Sequence, residues 1–212
     1  MSNYVDRETW LNAAAVLMQA SVFTDAAIEP EAWERVKYRI TCGFPLGYRG
    51  SRGAKQITLG QAFDPSISAD GTYEVCVNPI MDEPADVLAV LAHELVHVHC
   101  GVECGHRGAF RRVAVAIGLT GKMTATVAGD ELAKKLADIA EQLGPYPHAK
   151  IDPTLRKKQG TRNLKIVCNS GAIHTDGRTC SPYRMSAAGI AHIGFMRAVC
   201  NQCGEIGTLS VE

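Results

Sequence analysis

The stretch LAHELVHVHCGVECGHRGAF, residues 91–110, contains four of the seven histidines and two of the eight cysteines of this 212-residue chain. On a helix, His93 and His97 lie on one face about one turn apart, so both imidazoles can reach a single ion, and Glu94 projects beside them. Burying these groups without partners carries a desolvation cost that a bound metal removes. The alternative is two helical histidines that are satisfied by hydrogen bonds in the core.

The residues before and within this stretch favour a helix. Pro84 suits a first helical turn, and Gly101 suits the end of the helix. Apolar residues between them keep a 3.6-residue rhythm: Val87, Leu88, Leu91, Leu95 and Val98. We therefore predict a central helix that carries the HExxH motif.

A third metal ligand is sought among the residues that follow His97. His99 points about 200° away around the helix, and Cys100 lies about 4.5 Å further along the axis, beyond easy reach. His106 can swing back toward the pair because Gly101 and Gly105 allow the chain to turn. His106 is the predicted ligand, and Cys104 is the alternative.

Three neutral histidines leave the fourth coordination position open for water, which is typical of a catalytic rather than a structural zinc site. Zinc suits imidazole ligands, although other divalent metals also bind them. The sequence therefore predicts a catalytic Zn²⁺ held by His93, His97 and His106.

Patterns around the motif predict a mixed α+β fold. Residues 6–23, 30–40, 107–117 and 130–143 have helical spacing, and strand-like runs at 56–63 and 72–79 indicate a small antiparallel sheet. A segment rich in proline and basic residues follows Gly144. We predict one domain over residues 1–147, a basic linker over 148–163 and a small second domain over 164–212.

Composition and the N-terminal sequence limit the partners and the compartment that we expect. Lys plus Arg and Asp plus Glu each number 22, so no global field attracts nucleic acid or an acidic membrane. The N-terminal residues fit neither a signal peptide nor a membrane span, so we expect a cytoplasmic protein without a membrane partner. In that compartment thiols stay reduced, and the cysteines are expected to be metal ligands or buried thiols; Cys42 and Cys76 belong to the latter class.

HELVH followed by GHRGAF, with the later GKMTATV and GPYPHA and a cysteine-bearing tail, resembles the SprT-like metalloprotease family, which is related to Spartan. The similarity is close from about Thr72 to Arg162, and phage-encoded members are the most similar. It implies a zincin-like fold and zinc-dependent peptide hydrolysis, directed in relatives at proteins trapped on DNA. For a phage-encoded member, the cytoplasm would be that of the host.

The chemistry that the resemblance implies agrees with the residues. Zinc activates a water molecule and polarises the scissile carbonyl, while Glu94 acts as the general base and passes the proton to the leaving amine. The competing interpretation of Glu94 is a solvated or hydrogen-bonded helix carboxylate. The competing function is a noncatalytic DNA-binding or regulatory module with structural zinc only.

Family members often end in a zinc ribbon, and the tail keeps one CxxC, at Cys200 and Cys203. In the first half of the tail, Cys168 and Cys180 stand twelve positions apart with His174 between them. We predict a second, structural zinc ion held by Cys168, Cys180, Cys200 and Cys203, with His174 as the alternative to Cys180. A ribbon with free thiols is the competing interpretation.

Basic residues between the two predicted metal sites suggest contact with DNA phosphates. The resemblance favours this over the alternative of an ordinary solvated linker. Six residues form the predicted DNA-binding cluster: Lys150, Arg156, Lys157, Lys158, Arg162 and Lys165. The sequence thus predicts a zinc metalloprotease whose substrates are proteins, in particular DNA-bound proteins.

Overall fold

The computed structural model describes residues 4–28, 30–46, 57–155, 163–168, 183–186, 203 and 209–211. These fall into two units, Met1–Arg156 and Lys157–Glu212. The elements form a mixed α+β arrangement with small sheets, as the sequence patterns predict. Within the described ranges, no helix combines the length and apolarity needed to cross a bilayer.

Helix α1, Arg7–Met18, begins the first unit and continues as a π-helical turn, Gln19–Phe23. The side chain of Asp6 caps the helix by accepting from the amide of Thr9 at 2.7 Å, which satisfies one of the free amides of the first turn. Trp10, Leu11 and Met18 are fully buried, so α1 contributes one side of the core.

The helix predicted over residues 30–40 is wrong for most of its length. Helix α2 covers only Glu31–Glu34, and strand β1 follows at Tyr38–Cys42. Ile40 and Cys42 are buried and alternate with exposed residues, a period of two that a β-branched and aromatic sequence favours. The 3.6-residue spacing of Trp33, Val36 and Ile40 therefore spans two different elements.

Strands β2, Gly60–Phe63, and β3, Tyr73–Val77, lie within the runs predicted as strands. The sheet has the order β1-β3-β2, with β1 parallel and β2 antiparallel to β3. The prediction of a purely antiparallel sheet is therefore wrong. The residues of β1 have helical spacing in the sequence, but in the structure they form a strand that pairs in parallel with β3. Among the described residues, β2 is an edge strand.

Helix α3, Pro84–Cys100, is the central helix predicted from the apolar rhythm. It is buried along most of its length, and it packs against α1, α5 and the sheet. A helix covered on several sides needs apolar residues around most of its circumference, which explains its high apolar content. Glu94 and His97 are the buried polar exceptions on this helix.

The chain after α3 forms α4, Ala109–Ala116, a hairpin of β4, Leu119–Lys122, and β5, Ala125–Ala128, and then α5, Asp130–Leu143. The hairpin was not predicted, because its strands have only four residues each and carry little apolar alternation. It nevertheless packs near α3 and brings β5 to the HExxH helix.

The residues that directly follow α5 form hydrogen bonds with other parts of the first unit. The indole of Trp10 donates to the carbonyl of Gly144 at 3.1 Å. The Nε2 of His148 donates to the carbonyl of Pro79 at 2.9 Å, and the amide of Ile151 donates to the same carbonyl at 2.8 Å. The first residues of the segment predicted as a linker thus contact the loop that precedes α3.

The second unit contains an antiparallel sheet of three strands in the order β7-β6-β8. Strand β6 is Asn163–Cys168, β7 is Tyr183–Ser186 and β8 is Leu209–Val211. Cys168 ends the central strand of this sheet.

Candidate metal centre

The first two histidines of the site come from one face of α3. His93 and His97 lie one helical turn apart, and their ring centroids are separated by 5.2 Å. His97 is buried and His93 is half-buried, because the neighbouring helix α4 and hairpin cover this face. The HExxH spacing therefore brings the two rings together on the same face, as expected for side chains at positions i and i+4 of a helix.

His106 reaches the pair from the loop between α3 and α4. Gly105 adopts a positive φ of 55°, a conformation that side-chain-bearing residues rarely adopt, and turns the chain back toward α3. The Nε2 of His106 then lies 3.2 Å from the Nε2 of His93 and 3.2 Å from the Nε2 of His97. The ligand atoms of the three side chains all lie within 4.8 Å of one another.

These distances fit a shared metal ion better than hydrogen bonds alone. A neutral imidazole has one N–H, so the single Nε2 of His106 cannot donate to one ring and also accept from the other. Nitrogen ligands of a tetrahedral zinc ion lie roughly 3.3 Å apart when each is about 2.05 Å from the metal. The three histidines therefore form a group that could bind a metal ion.

Burial prepares the histidines to bind a cation. It lowers the pKa of His93 to about 4 and the pKa of His97 to about 3, and the neighbouring rings lower both further. Burial also lowers the pKa of His106. Neutral imidazole is the form that binds a metal, so the ligands are available at neutral pH without first losing a proton.

Phe110, in the first turn of α4, contacts all three rings. Its centroid lies 4.3 Å from that of His97, 4.9 Å from that of His93 and 5.0 Å from that of His106. Phe110 is fully buried, so it is a fixed base for the cluster. Packing of this kind restricts the rotamers of the ligands and reduces the entropy that metal binding must remove.

The outer nitrogens of His93 and His97 have different surroundings. The Nδ1 of His93 lies 2.8 Å from the Oγ1 of Thr126 on β5. An Nδ1–H that donates to this hydroxyl leaves Nε2 with a lone pair for the metal. The Nδ1 of His97 is buried and has no hydrogen-bond partner among the described residues.

Glu94 lies in the same cleft as the histidines and is 5% exposed. Burial raises the pKa of its carboxyl to about 8, and the amide of Ala62 on β2 partly offsets this by donating to it. Gly60 explains how β2 approaches so closely, because a Cβ at this position would lie 2.6 Å from the Oε1 of Glu94. Any side chain at residue 60 would displace the carboxyl.

The cleft beside the histidines has a volume of about 460 Å³. Residues 57–62, on and before β2, and residues 124–126 of the hairpin both line it. Half of the side chains that line it are apolar, and among the described lining residues Glu94 is the sole acidic or basic one apart from the histidines. A neutral, extended ligand can therefore lie between β2 and the hairpin.

The other candidate ligands of this region point elsewhere. Cys104 donates from Sγ to the carbonyl of Gly101 at 3.0 Å and does not belong to the cluster. His99 packs against Trp33 with a centroid separation of 5.5 Å, on another side of α3. Cys42 and Cys76 are buried, as expected of small apolar residues.

In the second unit, the Sγ atoms of Cys168 and Cys203 lie 3.7 Å apart. This is too long for a disulfide bond, which is about 2.05 Å. Two thiolates on one tetrahedral zinc ion lie roughly 3.8 Å apart. The other predicted ligands, Cys180, Cys200 and His174, lie outside the described residues.

The predicted DNA-binding residues fall in two groups. Lys150 is exposed, with its Nζ 3.5 Å from a carboxylate oxygen of Asp82, and Lys165 lies on β6. Arg156, Lys157, Lys158 and Arg162 lie outside the described residues.

Sequence analysis did not identify Thr126, Gly60 or Phe110 as parts of the site. Thr126 and Gly60 lie on short strands far from the motif in sequence, and no local pattern marks them. Phe110 is predicted only as an apolar residue of the helix over 107–117 and as part of the GHRGAF resemblance. The chain matches no family model, no curated protein and no solved structure.

Proposed function

We propose that the chain is a zinc-dependent metallopeptidase of the SprT-like type, with a zincin-like catalytic domain and a zinc-ribbon-like C-terminal unit. The observation that carries the proposal is the convergence of His93, His97 and His106 beside the buried carboxyl of Glu94 in one cleft. Three neutral nitrogen ligands leave a coordination position open, which a catalytic zinc site requires and a structural site does not.

A divalent ion held by the three histidines would supply Lewis-acid activation of water and of the scissile carbonyl. Glu94 then takes the proton from the attacking water and passes it to the leaving amine. Its buried position gives the carboxyl a high proton affinity, with a pKa of about 8 before a cation is bound. A nearby cation lowers that pKa toward neutrality, where a general base works best.

The walls of the cleft suit a peptide substrate. Residues 57–62 line it along the edge strand β2, whose outer edge has no strand partner among the described residues. An extended peptide can pair with such an edge through its backbone, whatever its side chains.

Proteins bound to DNA are the substrates that we propose, on the strength of the resemblance and of the basic cluster. Lys150 and Lys165, the described members of that cluster, are separated in sequence by four further basic residues. The proposed second zinc ion, held in part by Cys168 and Cys203, would stabilise the C-terminal unit.

A noncatalytic module with structural zinc is the competing function. Such a module has no use for a carboxylate beside an open coordination position. Glu94 is buried at an energetic cost, since burial alone raises its pKa well above the ordinary value of 4.5. A role in proton transfer accounts for this cost, and the position of Glu94 therefore favours the enzyme.

The deciding experiment compares the wild type with Glu94→Gln in metal content and in cleavage of an unfolded protein. The variant keeps the shape of the side chain and all three ligands, so its zinc content should match the wild type while hydrolysis falls by roughly 10²-fold or more. Glu103→Gln, an exposed glutamate on the same loop as His106, is the matched control and should remain active.

A DNA-binding protein serves as the second substrate, assayed with and without DNA at low and at physiological salt. DNA should accelerate its cleavage at low salt, because binding to phosphates weakens steeply as salt rises. Equal activity of the wild type and Glu94→Gln would contradict the peptidase proposal.

A further inference from the structure

A second cavity lies against the metal cleft, on the other side of His106. Its volume is about 370 Å³, and His106 lines both spaces. Arg107, Arg111 and Met123 contribute side chains to it, and two glycines, Gly108 and Gly121, leave its walls open. Arg107 lies in the loop before α4 and Arg111 in the first turn of that helix, and both line the same space.

These arginines have no carboxylate partner in the part of the chain that the structure describes. Neither forms an ion pair, and no acidic residue lines the cavity. Some basic residues of the first unit have partners, such as Arg39 with Asp70 and Glu74, whereas Arg112 on the same helix as Arg111 forms no ion pair among the described residues. Both arginines are exposed, and the open cavity that they line holds two positive charges with no counter-charge from the described residues.

The two adjoining spaces differ in charge. Among the described residues, the metal cleft is lined by Glu94 as its one charged side chain besides the histidines, and the second cavity is lined by two arginines. A peptide that crosses the histidines would place its backbone in the cleft and a nearby side chain in the second cavity. Guanidinium groups bind carboxylates through paired hydrogen bonds, and the strength of such bonds exceeds that of neutral ones.

We propose that Arg107 and Arg111 form a specificity pocket for a carboxylate of the substrate peptide, an Asp or Glu side chain close to the bond that is cut. This inference rests on the proposed peptidase function and adds its substrate class. A carboxylate fits the site better than a nucleic acid does, because a nucleic acid requires an extended track of cations and this cavity offers two.

The test uses peptides that share one cleavable sequence, taken from a bond that the enzyme cuts in unfolded casein. Each position within three residues of that bond is replaced in turn by Asp, Asn or Lys. The wild type should cleave the Asp peptide at one position roughly 10-fold more efficiently than the Asn peptide, with the difference in KM. Comparable cleavage of all three peptides at every position overturns the proposal.

Substitutions of the two arginines then test whether the preference for Asp arises from the cavity. Arg111→Gln should remove the preference for Asp, and Arg111→Glu should transfer it to Lys. The matched control is Arg112→Gln, an exposed arginine on the same helix that does not line the cavity, and it should keep the wild-type preference. An Asp preference that survives both Arg107→Gln and Arg111→Gln places the carboxylate site elsewhere and overturns the proposal.

Binding measurements separate this inference from the peptidase proposal. In zinc-loaded Glu94→Gln protein, fluorescence anisotropy of labelled Asp and Asn peptides reports affinity without any hydrolysis. Tighter binding of the Asp peptide that depends on Arg111 supports the pocket even where the wild type cuts nothing. If Arg111→Gln instead weakens only the binding of a thymidine oligonucleotide, the cavity binds phosphate of nucleic acid and the proposal is wrong.

Discussion

The histidine cluster of the first unit and the cysteine pair of the second are both candidate metal sites, but the chain builds them differently. His93, His97 and His106 come from fourteen consecutive residues, on one helix and the loop that follows it. Cys168 and Cys203 are 35 residues apart, at the end of a strand and in a separate turn. The first site is local in sequence, and the second depends on distant segments.

The two sites also differ in what their ligands allow. Three neutral nitrogens leave a coordination position open, and they lie beside the buried carboxyl of Glu94 in an open cleft. Four thiolates, the set predicted for the second site, close the coordination sphere and give a structural ion. Of the two candidate sites, we therefore propose that the first is catalytic and the second structural.

The largest expected effect is the loss of one zinc ion at a time, caused by a single substitution in either site. The wild type should bind two zinc ions, as measured by plasma emission spectroscopy on purified protein. His97→Ala should lose the cleft ion and all hydrolysis above background, and its melting temperature should fall, since α3 loses a crosslink to the following loop. Cys203→Ser should lose the other ion and retain cleavage of a short peptide.

A further pair of variants tests the third ligand of the cleft. His106→Ala should lose the cleft ion, whereas Cys104→Ala should keep it because the Sγ of Cys104 bonds to the carbonyl of Gly101. Retention of the ion in His106→Ala with loss in Cys104→Ala would contradict the assignment. Loss of both ions in Cys203→Ser would show that the two sites do not act separately.

The next largest effect concerns the hydrogen bond between Thr126 and His93, which has no counterpart at His97 among the described residues. Thr126→Val removes the hydroxyl that holds the Nδ1 of His93 and keeps the shape of the side chain. The zinc dissociation constant should rise by roughly 10-fold, as is typical when a partner of a ligating histidine is lost. Competition with a chromophoric chelator measures the constant, and the Co²⁺ absorption spectrum reports the ligand geometry.

The controls for this prediction lie on the same strand and hairpin. Thr126→Ser keeps a hydroxyl and should restore affinity. Thr124→Val changes another residue of the cleft wall and should leave affinity near the wild type. A zinc affinity unchanged in Thr126→Val would indicate that packing on Phe110, and not the hydrogen bond, orients His93.

The smallest effect is on the stability of the metal-free protein. Burial raises the pKa of Glu94 from 4.5 to about 8. Between these values the folded state holds a proton that the unfolded state has released, so the free energy of unfolding falls as pH rises through this window. Glu94→Gln cannot titrate and should lack this decrease.

Thermal melts in the presence of a chelator measure the difference. Metal-free Glu94→Gln should melt roughly 5 °C above the metal-free wild type at pH 8, and the two should converge near pH 4.5. Glu103→Gln, exposed on the nearby loop, should follow the wild type throughout. Parallel curves for Glu94→Gln and the wild type would show that the carboxyl is solvated in the folded protein.

Much of the helical framework follows from the sequence. The apolar rhythm predicts α3 closely, and α5 coincides with the predicted residues 130–143. The helix predicted over residues 30–40 is wrong beyond Glu34, because Trp33 and Ile40 have helical spacing although a strand begins at Tyr38. In short elements a few apolar residues fit both periods, and tertiary pairing with β3 decides between them.

The sequence by itself determined the pairing of His93 with His97 and the adjacent position of Glu94, because a helix fixes the geometry of residues that are one to four positions apart. Only the tertiary structure decided that His106 and not Cys104 completes the cluster, that Thr126 holds His93, and that Gly60 lets β2 approach Glu94. These contacts join segments far apart along the chain, and their distances depend on how helices and strands pack, which no local spacing specifies.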